Sequence, residues 1–254
     1  MIEVAADVAL WLMLAAFLAG FVDAIAGGGG LISVPALLLA GASPIEALAT
    51  NKLQGTFGAG TAMVTYAGAG QVHLRDQLGM AVISALAGAA GALAAHLMPV
   101  ALLRLVMPAI LVAVALFFAF KPGLTDDARA ARVTPAVFSF TAVPLIAAYD
   151  GFFGPGTGSF FMLGFVMLAG YGVLRATAHT KLLNFASNIG ALAVFATSGA
   201  MWWGMGLAMA AAQIGGAALG ARLALRIGAG LIKPLLVVTS TAMALRLIWQ
   251  ALQA

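Results

Sequence analysis

The chain is predicted to be an all-α integral membrane protein of two inverted repeats, each a glycine-broken helical hairpin plus three transmembrane helices. Three observations carry that prediction. The 254 residues are 63% hydrophobic and 8% charged, with a mean hydropathy of +1.09, too little charge to cover a soluble domain of this size. Apolar segments of the ~20 residues needed to span a bilayer recur along the chain. One unusual passage occurs twice: Asp23, then Gly27-Gly28-Gly29-Gly30, then Lys52; and Asp150, then Gly154-Pro155-Gly156-Thr157-Gly158, then Lys181. Paired interruptions at corresponding places in two halves point to a transporter site.

Taken in order, residues 7–22 and 31–41 are apolar arms on either side of the first glycine run. At about 1.5 Å per residue the longer arms reach ~24 Å or less and the shorter ones ~16–18 Å, so the second arm of each pair is too short to cross a core of about 30 Å. Segments 45–67, 77–97 and 100–120 are full spans, the first opened by Ser43-Pro44-Ile45-Glu46, a helix start with proline at the first position and glutamate as cap. Residues 136–149 and 159–170 repeat the two arms, and 175–198, 204–226 and 230–250 repeat the three spans. The charged stretch from Lys121 through Asp126-Asp127 to Pro135 divides them. The division is therefore a first membrane repeat at 1–120, a cytoplasmic linker at 121–135 and a second membrane repeat at 136–254. A slide of about 129 residues brings Lys52 onto Lys181, Gly70 onto Gly199, Gly91 onto Gly220 and Ser84 onto Gln213. The N-terminus carries Glu3 and Asp7 rather than the basic start of a signal peptide, and its apolar run is echoed in the second half, so it is read as mature structure.

Positive charge chooses the topology. If each broken pair enters and leaves on one side, Arg75, Lys121, Arg129, Arg132, Arg175, Arg222, Arg226 and Lys233 share one face, and only Arg104 and Arg246 lie on the other. If each broken pair crosses once, the same residues divide evenly. The positive-inside rule selects the first arrangement. Both termini are then outside, the linker is cytoplasmic, each half crosses an odd number of times, and the halves are inverted.

The net charge of +4 comes from basic residues scattered at segment ends, which a membrane interface explains and nucleic acid does not require. With no cysteine, disulfides, thiol catalysis and cysteine-held metals are excluded. No His/Asp/Glu grouping has metal-ligand spacing and no cofactor is expected. Trp11, Trp202, Trp203 and Trp249 lie near segment ends and suit an aromatic belt.

Chemistry is expected at the breaks. Where two short helices meet at mid-membrane, the N-terminus of the second offers unused N–H groups and the positive end of a dipole, with glycine allowing close approach. Gly28, Gly29 and Gly30, and Gly156, Thr157 and Gly158, are the expected backbone ligands. Tight helix packing is the plainer use of glycine and suits Gly216 and Gly220 better than four glycines in a row. Lys52 and Lys181 lie one to two turns into their spans. Either alone is explained equally well by snorkelling to the interface, but matched positions in two halves favour one shared anionic ligand. Asn184 and Asn188 share the Lys181 face of their helix, while Asn51 and Gln54 supply polarity beside Lys52. Asp23 and Asp150 either exchange protons, pair with a lysine or cap a broken helix.

The run Gly27–Gly30 followed by Pro35, then Ala49-Thr50-Asn51-Lys52, together with a second glycine-rich break followed by Thr180-Lys181 and Asn184, resembles the TauE/SafE family. The resemblance covers essentially the whole chain. It implies a bacterial-type inner-membrane permease of two repeats that exports small anions, sulfite or organosulfonates such as sulfoacetate. The sequence departs from the pattern at Gly154–Gly158, after which no proline matches Pro35. An anion channel, or a permease for carboxylates or other organic anions, is the nearest alternative. An intramembrane enzyme lacks a nucleophile or metal set, and a scaffold leaves the matched acids, breaks and lysines unexplained. The expected partners are a small anionic substrate and the lipid bilayer, with no nucleic acid.

The topology has a direct check. A membrane-impermeant reagent should label cysteines introduced at 125–130 and in the 199–203 loop from opposite sides; labelling of both from one side would reject the inverted arrangement.

Overall fold

The computed structural model describes residues 5–119, 128–228 and 230, and over these the protein is all-helical. The linker stretch 120–127 and the predicted span at 230–250, apart from Gly230, lie outside the described residues.

Helix α1 (Ala6–Ala26) ends where Gly27 turns to φ 82°, its N–H donating to the Asp23 carbonyl. Only glycine takes this left-handed conformation without strain, so the run is a stop signal for α1. The interruption is brief. Gly30 already belongs to α2 (Gly30–Leu39), a helix of 10 residues and so about 15 Å long, half a bilayer core. The second break has the same form. Helices α6 (Pro135–Phe140) and α7 (Ala142–Phe152) make one bent arm. The bend at Thr141 has a cause in Pro144, which cannot donate to the Phe140 carbonyl and crowds it. The arm stops before Gly154 and Gly156, at φ 95° and 83°, and α8 (Thr157–Met167) follows. Thr157 and Gly158 therefore open α8 rather than break it.

The remaining described helices are α3 (Pro44–Gly68), α4 (Leu78–Leu97) behind a 3-10 turn at Leu74–Gln77, α5 (Val100–Ala119), α9 (Val173–Phe195) and α10 (Trp203–Ile227). The start of α3 is the expected reciprocal cap, with the Ser43 N–H donating to Glu46 Oε2 at 2.7 Å. By length and composition, four helical stretches can cross a bilayer: α1, α4 with its turn, the bent α6–α7 arm and α10. Helices α3 and α9 are not among them because their polar residues lower their hydropathy, yet at 25 and 23 residues they are about 35 Å long. They pack on each other in the centre, with Lys52, Gln54, Lys181 and Asn184 buried. The apolar helices ring them and turn Leu10, Leu14, Leu18, Leu86 and Leu93 outward, as a lipid-facing perimeter does.

Packing crosses between the halves. Helix α1 lies on α10 and α7 on α4; α3 packs on α10 and α9 on α4. Small residues make the crossings close. A Cβ on Gly91 would stand 1.9 Å from the Ala148 carbonyl oxygen, and one on Gly216 would stand 2.0 Å from that of Phe17.

Each broken pair returns to the end at which it entered. Asp7, Val8 and Trp11 of α1 share a cleft with Leu39 and Ala40 at the end of α2. In the second half the Arg129 N–H donates to the Gly170 carbonyl at 2.9 Å and the Arg132 N–H to the Leu168 carbonyl at 2.8 Å, tying the entry of α6 to the exit of α8. One aromatic departs from the belt assignment. Trp202 is buried, its backbone N–H bonded to Thr50 Oγ1, because the loop before α10 folds inward onto α3; Trp11 and Trp203 are exposed, and Trp249 lies outside the described residues.

Gly91→Ala and Gly216→Ala should each lose about 1–3 kcal/mol through forced separation of packed backbones. Gly79→Ala, with open space around it, should be neutral or mildly stabilising. Thermal unfolding in detergent reads both, and equal melting temperatures in all three variants would reject the close-packing account.

Candidate functional site

The two breaks meet. Gly27 and Gly158 touch so closely that a Cβ on Gly27 would stand 2.2 Å from the Gly158 carbonyl carbon. Ser159, at the start of α8, donates its N–H to the Gly27 carbonyl at 3.2 Å and its hydroxyl to the Ala26 carbonyl at 2.6 Å. The end of α1 is thus capped by the second break, satisfying carbonyls that a helix terminus at lipid depth would otherwise leave bare. Gly30 in turn abuts Pro155.

Four charges converge on this junction in a crossed pattern. Lys52, on the first-half helix α3, reaches the second break, where its Nζ is 2.8 Å from Asp150 Oδ1. Lys181, on the second-half helix α9, reaches the first break, bonding the Asp23 carbonyl oxygen and standing 3.4 Å from Asp23 Oδ2. Both lysine side chains are 1% exposed. A lone charge so deep in an apolar protein is strongly disfavoured, so each lysine needs its carboxylate.

The pairs are not equivalent. Asp150 also accepts a 2.5 Å hydrogen bond from Ser187 Oγ, and its side chain is 3% exposed. Asp23 makes only long contacts through its carboxylate, to Lys181 and to the Gly29 N–H at 3.4 Å, and its side chain is 13% exposed. Although close to Asp150, Lys52 Nζ lacks hydrogen-bond alignment with any described acceptor. An ammonium carries three donors, so Lys52 retains capacity for another ligand.

Lys52, Asp150 and Asp23 line one small polar cavity of about 30 Å³, room for about two waters, and Lys181 adjoins it through its contact to Asp23. Asn51, Asn184, Asn188, Gly29, Gly30 and Gly158 line it too, so the structure brings together residues the sequence placed in separate halves. Among the described residues the Gly30 N–H has no protein acceptor and is a backbone donor available at the cavity. Five of the expected residues stand back from the wall, among them Lys181, which meets Asp23 instead. Gly28, Gly156 and Thr157 shape the turns, and Gln54 lies behind Asn51, with Nε2 3.4 Å from Asn51 Oδ1. The proximity of Asp23 to the Gly29 N–H is the expected capping contact, and the pairing of both acids with lysines is the other expected role.

Four lining residues were not expected as ligands from the sequence: Gly27, Gly55, Gly154 and Gln213. Gly55 leaves room for Asn188, whose Oδ1 would be 3.3 Å from a Cβ there. The slot opposite Asn184 is thus empty so that one amide chain can fill the space between α3 and α9. Gln213 is buried with Oε1 unpaired, and its alignment with Ser84 in the repeat was the one signal for it. Other polar residues of α3 and α9 turn away. Thr56 bonds back to the Lys52 carbonyl at 2.7 Å, and His179 faces Gln77 near the 3-10 turn.

Comparison with known proteins adds an independent line. The family model described as "Sulfite exporter TauE/SafE" matches residues 12–247. A Sinorhizobium protein named "Probable membrane transporter protein ORF9" is 56% identical over 94% of this chain and 91% of its own length. "Probable membrane transporter protein YfcA" of Escherichia coli K12 is 40% identical over 94% of this chain and 89% of its own. A Haemophilus influenzae "Probable membrane transporter protein" is 39% identical over 97% of both. No solved structure gives a significant match.

The buried pair invites a double-mutant cycle. Lys52→Met should cost about 3–5 kcal/mol by stranding Asp150, and combining it with Asp150→Leu should restore most of that loss. Additive losses in thermal unfolding would show that the two side chains do not depend on each other.

Proposed function

The chain belongs to the TauE/SafE family of membrane transporters, and from that premise we propose that it carries a small anion through the cavity between the two breaks. The observation that carries this reading is the crossed arrangement of Lys52 and Lys181, each from one half and each at the break of the other, with Lys52, Asp150 and Asp23 on the wall of one polar cavity. An anion entering there meets the unused donors of Lys52, the Gly30 N–H and the amides of Asn184 and Asn188. The cavity's size favours sulfite among the family's anions; a longer sulfonate such as sulfoacetate needs a more open state.

Alternating access is proposed to come from inverted repeats at 1–120 and 136–254, joined by the linker at 121–135, rocking about this site. Three features support it: exchanging the two halves leaves the helix contacts nearly unchanged, each hairpin returns to its own end, and clefts lie at opposite ends of α3, one joining α1 to Glu46 and the other joining the turn after α3 to Arg175 and His179 of α9. The charge count supports an inner-membrane protein with both termini outside. Because each lysine bridges the halves, movement of the halves must loosen at least one pair, and a bound anion can replace the carboxylate that leaves.

Uptake of labelled sulfite, sulfoacetate, taurine and methanesulfonate into proteoliposomes tests the reading. Flux should saturate, which a channel's would not at low concentration, and Lys52→Ala or Lys181→Ala should reduce it by about tenfold or more, the worth of one charge-assisted hydrogen bond. Unchanged flux in both variants would reject the lysines as substrate ligands.

A further inference from the structure

The two ion pairs at the junction, of which Lys52, Asp150 and Asp23 line the cavity and Lys181 adjoins it through Asp23, sum to zero charge. A monovalent anion would leave the loaded site with one uncompensated negative charge in a buried setting, where such a charge is strongly disfavoured. We infer that Asp23 takes up a proton when the anion binds, so that one proton travels with each monovalent anion. The inference rests on the anion-carrier reading above.

The geometry selects Asp23. Its carboxylate is the more exposed of the two acids, its contacts to Lys181 and the Gly29 N–H are both 3.4 Å, and among the described residues no hydroxyl donates to it. Asp150 is held at 2.8 Å by Lys52 and at 2.5 Å by Ser187. The titratable groups near Asp23 are Lys181 from α9 and Tyr66 from α3, whose hydroxyl donates to the Ala24 carbonyl; Lys52 and Asp150 face it across the cavity. On the neighbouring faces of α2, α8 and α10, the cavity-lining residues are Gly30, Gly158 and Gln213, none of which titrates. The step balances simply. A proton from water adds to the Asp23 carboxylate, the Lys181 ammonium keeps its proton and its bond to the Asp23 main-chain oxygen, and the anion takes the place of the lost carboxylate charge. Release of the anion on the other side returns the proton to water and re-forms the pair. Coupled this way, net movement follows the anion and proton gradients together and ignores the membrane potential.

Methanesulfonate, monovalent and without a titrating group near neutral pH, is the probe. Wild-type protein in proteoliposomes is given a potassium-diffusion potential of about 60 mV, equivalent to about a tenfold equilibrium gradient for one uncompensated charge. Methanesulfonate accumulation should not respond to the potential but should follow an imposed pH gradient. In Asp23→Asn the residual flux should gain the potential dependence and lose the response to pH; in Asp150→Asn the residual flux should remain insensitive to potential. Wild-type flux that follows the potential would overturn proton coupling and leave the carrier reading standing. Potential dependence appearing in Asp150→Asn instead would overturn the assignment to Asp23. Should Asp23→Asn fail to fold, Asp23→Glu replaces it and must move the midpoint of the pH profile; an unmoved midpoint counts against Asp23. No methanesulfonate flux in wild-type protein would reject the carrier reading for small sulfonates, and this inference with it.

Discussion

Where the two interrupted helices touch, the protein holds four charged side chains largely withdrawn from water, and each is tolerated only because of another in the opposite half. Lys52 needs Asp150 and Lys181 needs Asp23. That requirement reaches outward into the rest of the architecture. The lysines must come from long central helices, so α3 and α9 lie innermost and the more apolar helices ring them. The carboxylates must stand at helix ends, so α1 and α7 stop at the two breaks. Close crossings at Gly91 and Gly216 bring the arms near enough for the pairs to form.

The same junction handles the backbone groups that the interruptions expose, and it does so unevenly. The start of α8 gives Ser159 to the carbonyls at the end of α1, so part of the second break works as a brace for the first. The first break keeps the Gly30 N–H open to the cavity. Side-chain amides follow the same asymmetry: α9 contributes Asn184 and Asn188, while α3 offers Gly55 where an amide would collide. Halves alike in layout have become unlike in chemistry, with one acid firmly held and one loosely held. Such a difference suits a site in which one pair stays closed while the other yields.

Much of this was legible in the residues. Glycine at Gly27 marks a helix end whatever surrounds it, because the left-handed turn belongs to local backbone sterics. The cap at Ser43 and Glu46 and the shortness of the second arms α2 and α8 are local in the same sense. Trp202 was misread because proximity to a segment end does not reveal whether a loop folds over its neighbour. Gln54 and Gln213 were misjudged for a related reason: helical spacing gives a residue's face, and only the neighbouring helix decides whether that face meets a cavity or another side chain.

The sequence by itself determined that the chain is a helical membrane protein, where its helices stop, and that acids, glycines and lysines recur in step. These follow from hydropathy, chain length and backbone sterics, which act over a few residues. Tertiary structure alone decided which acid pairs with which lysine. Within either half, acid and lysine look like natural partners, yet the pairs form across halves, because α1 ends against α8 and α9 while α7 lies against α4 and α9, bringing each break to the lysine of the other half. That choice depends on contacts between residues about a hundred positions or more apart, and no local pattern encodes it.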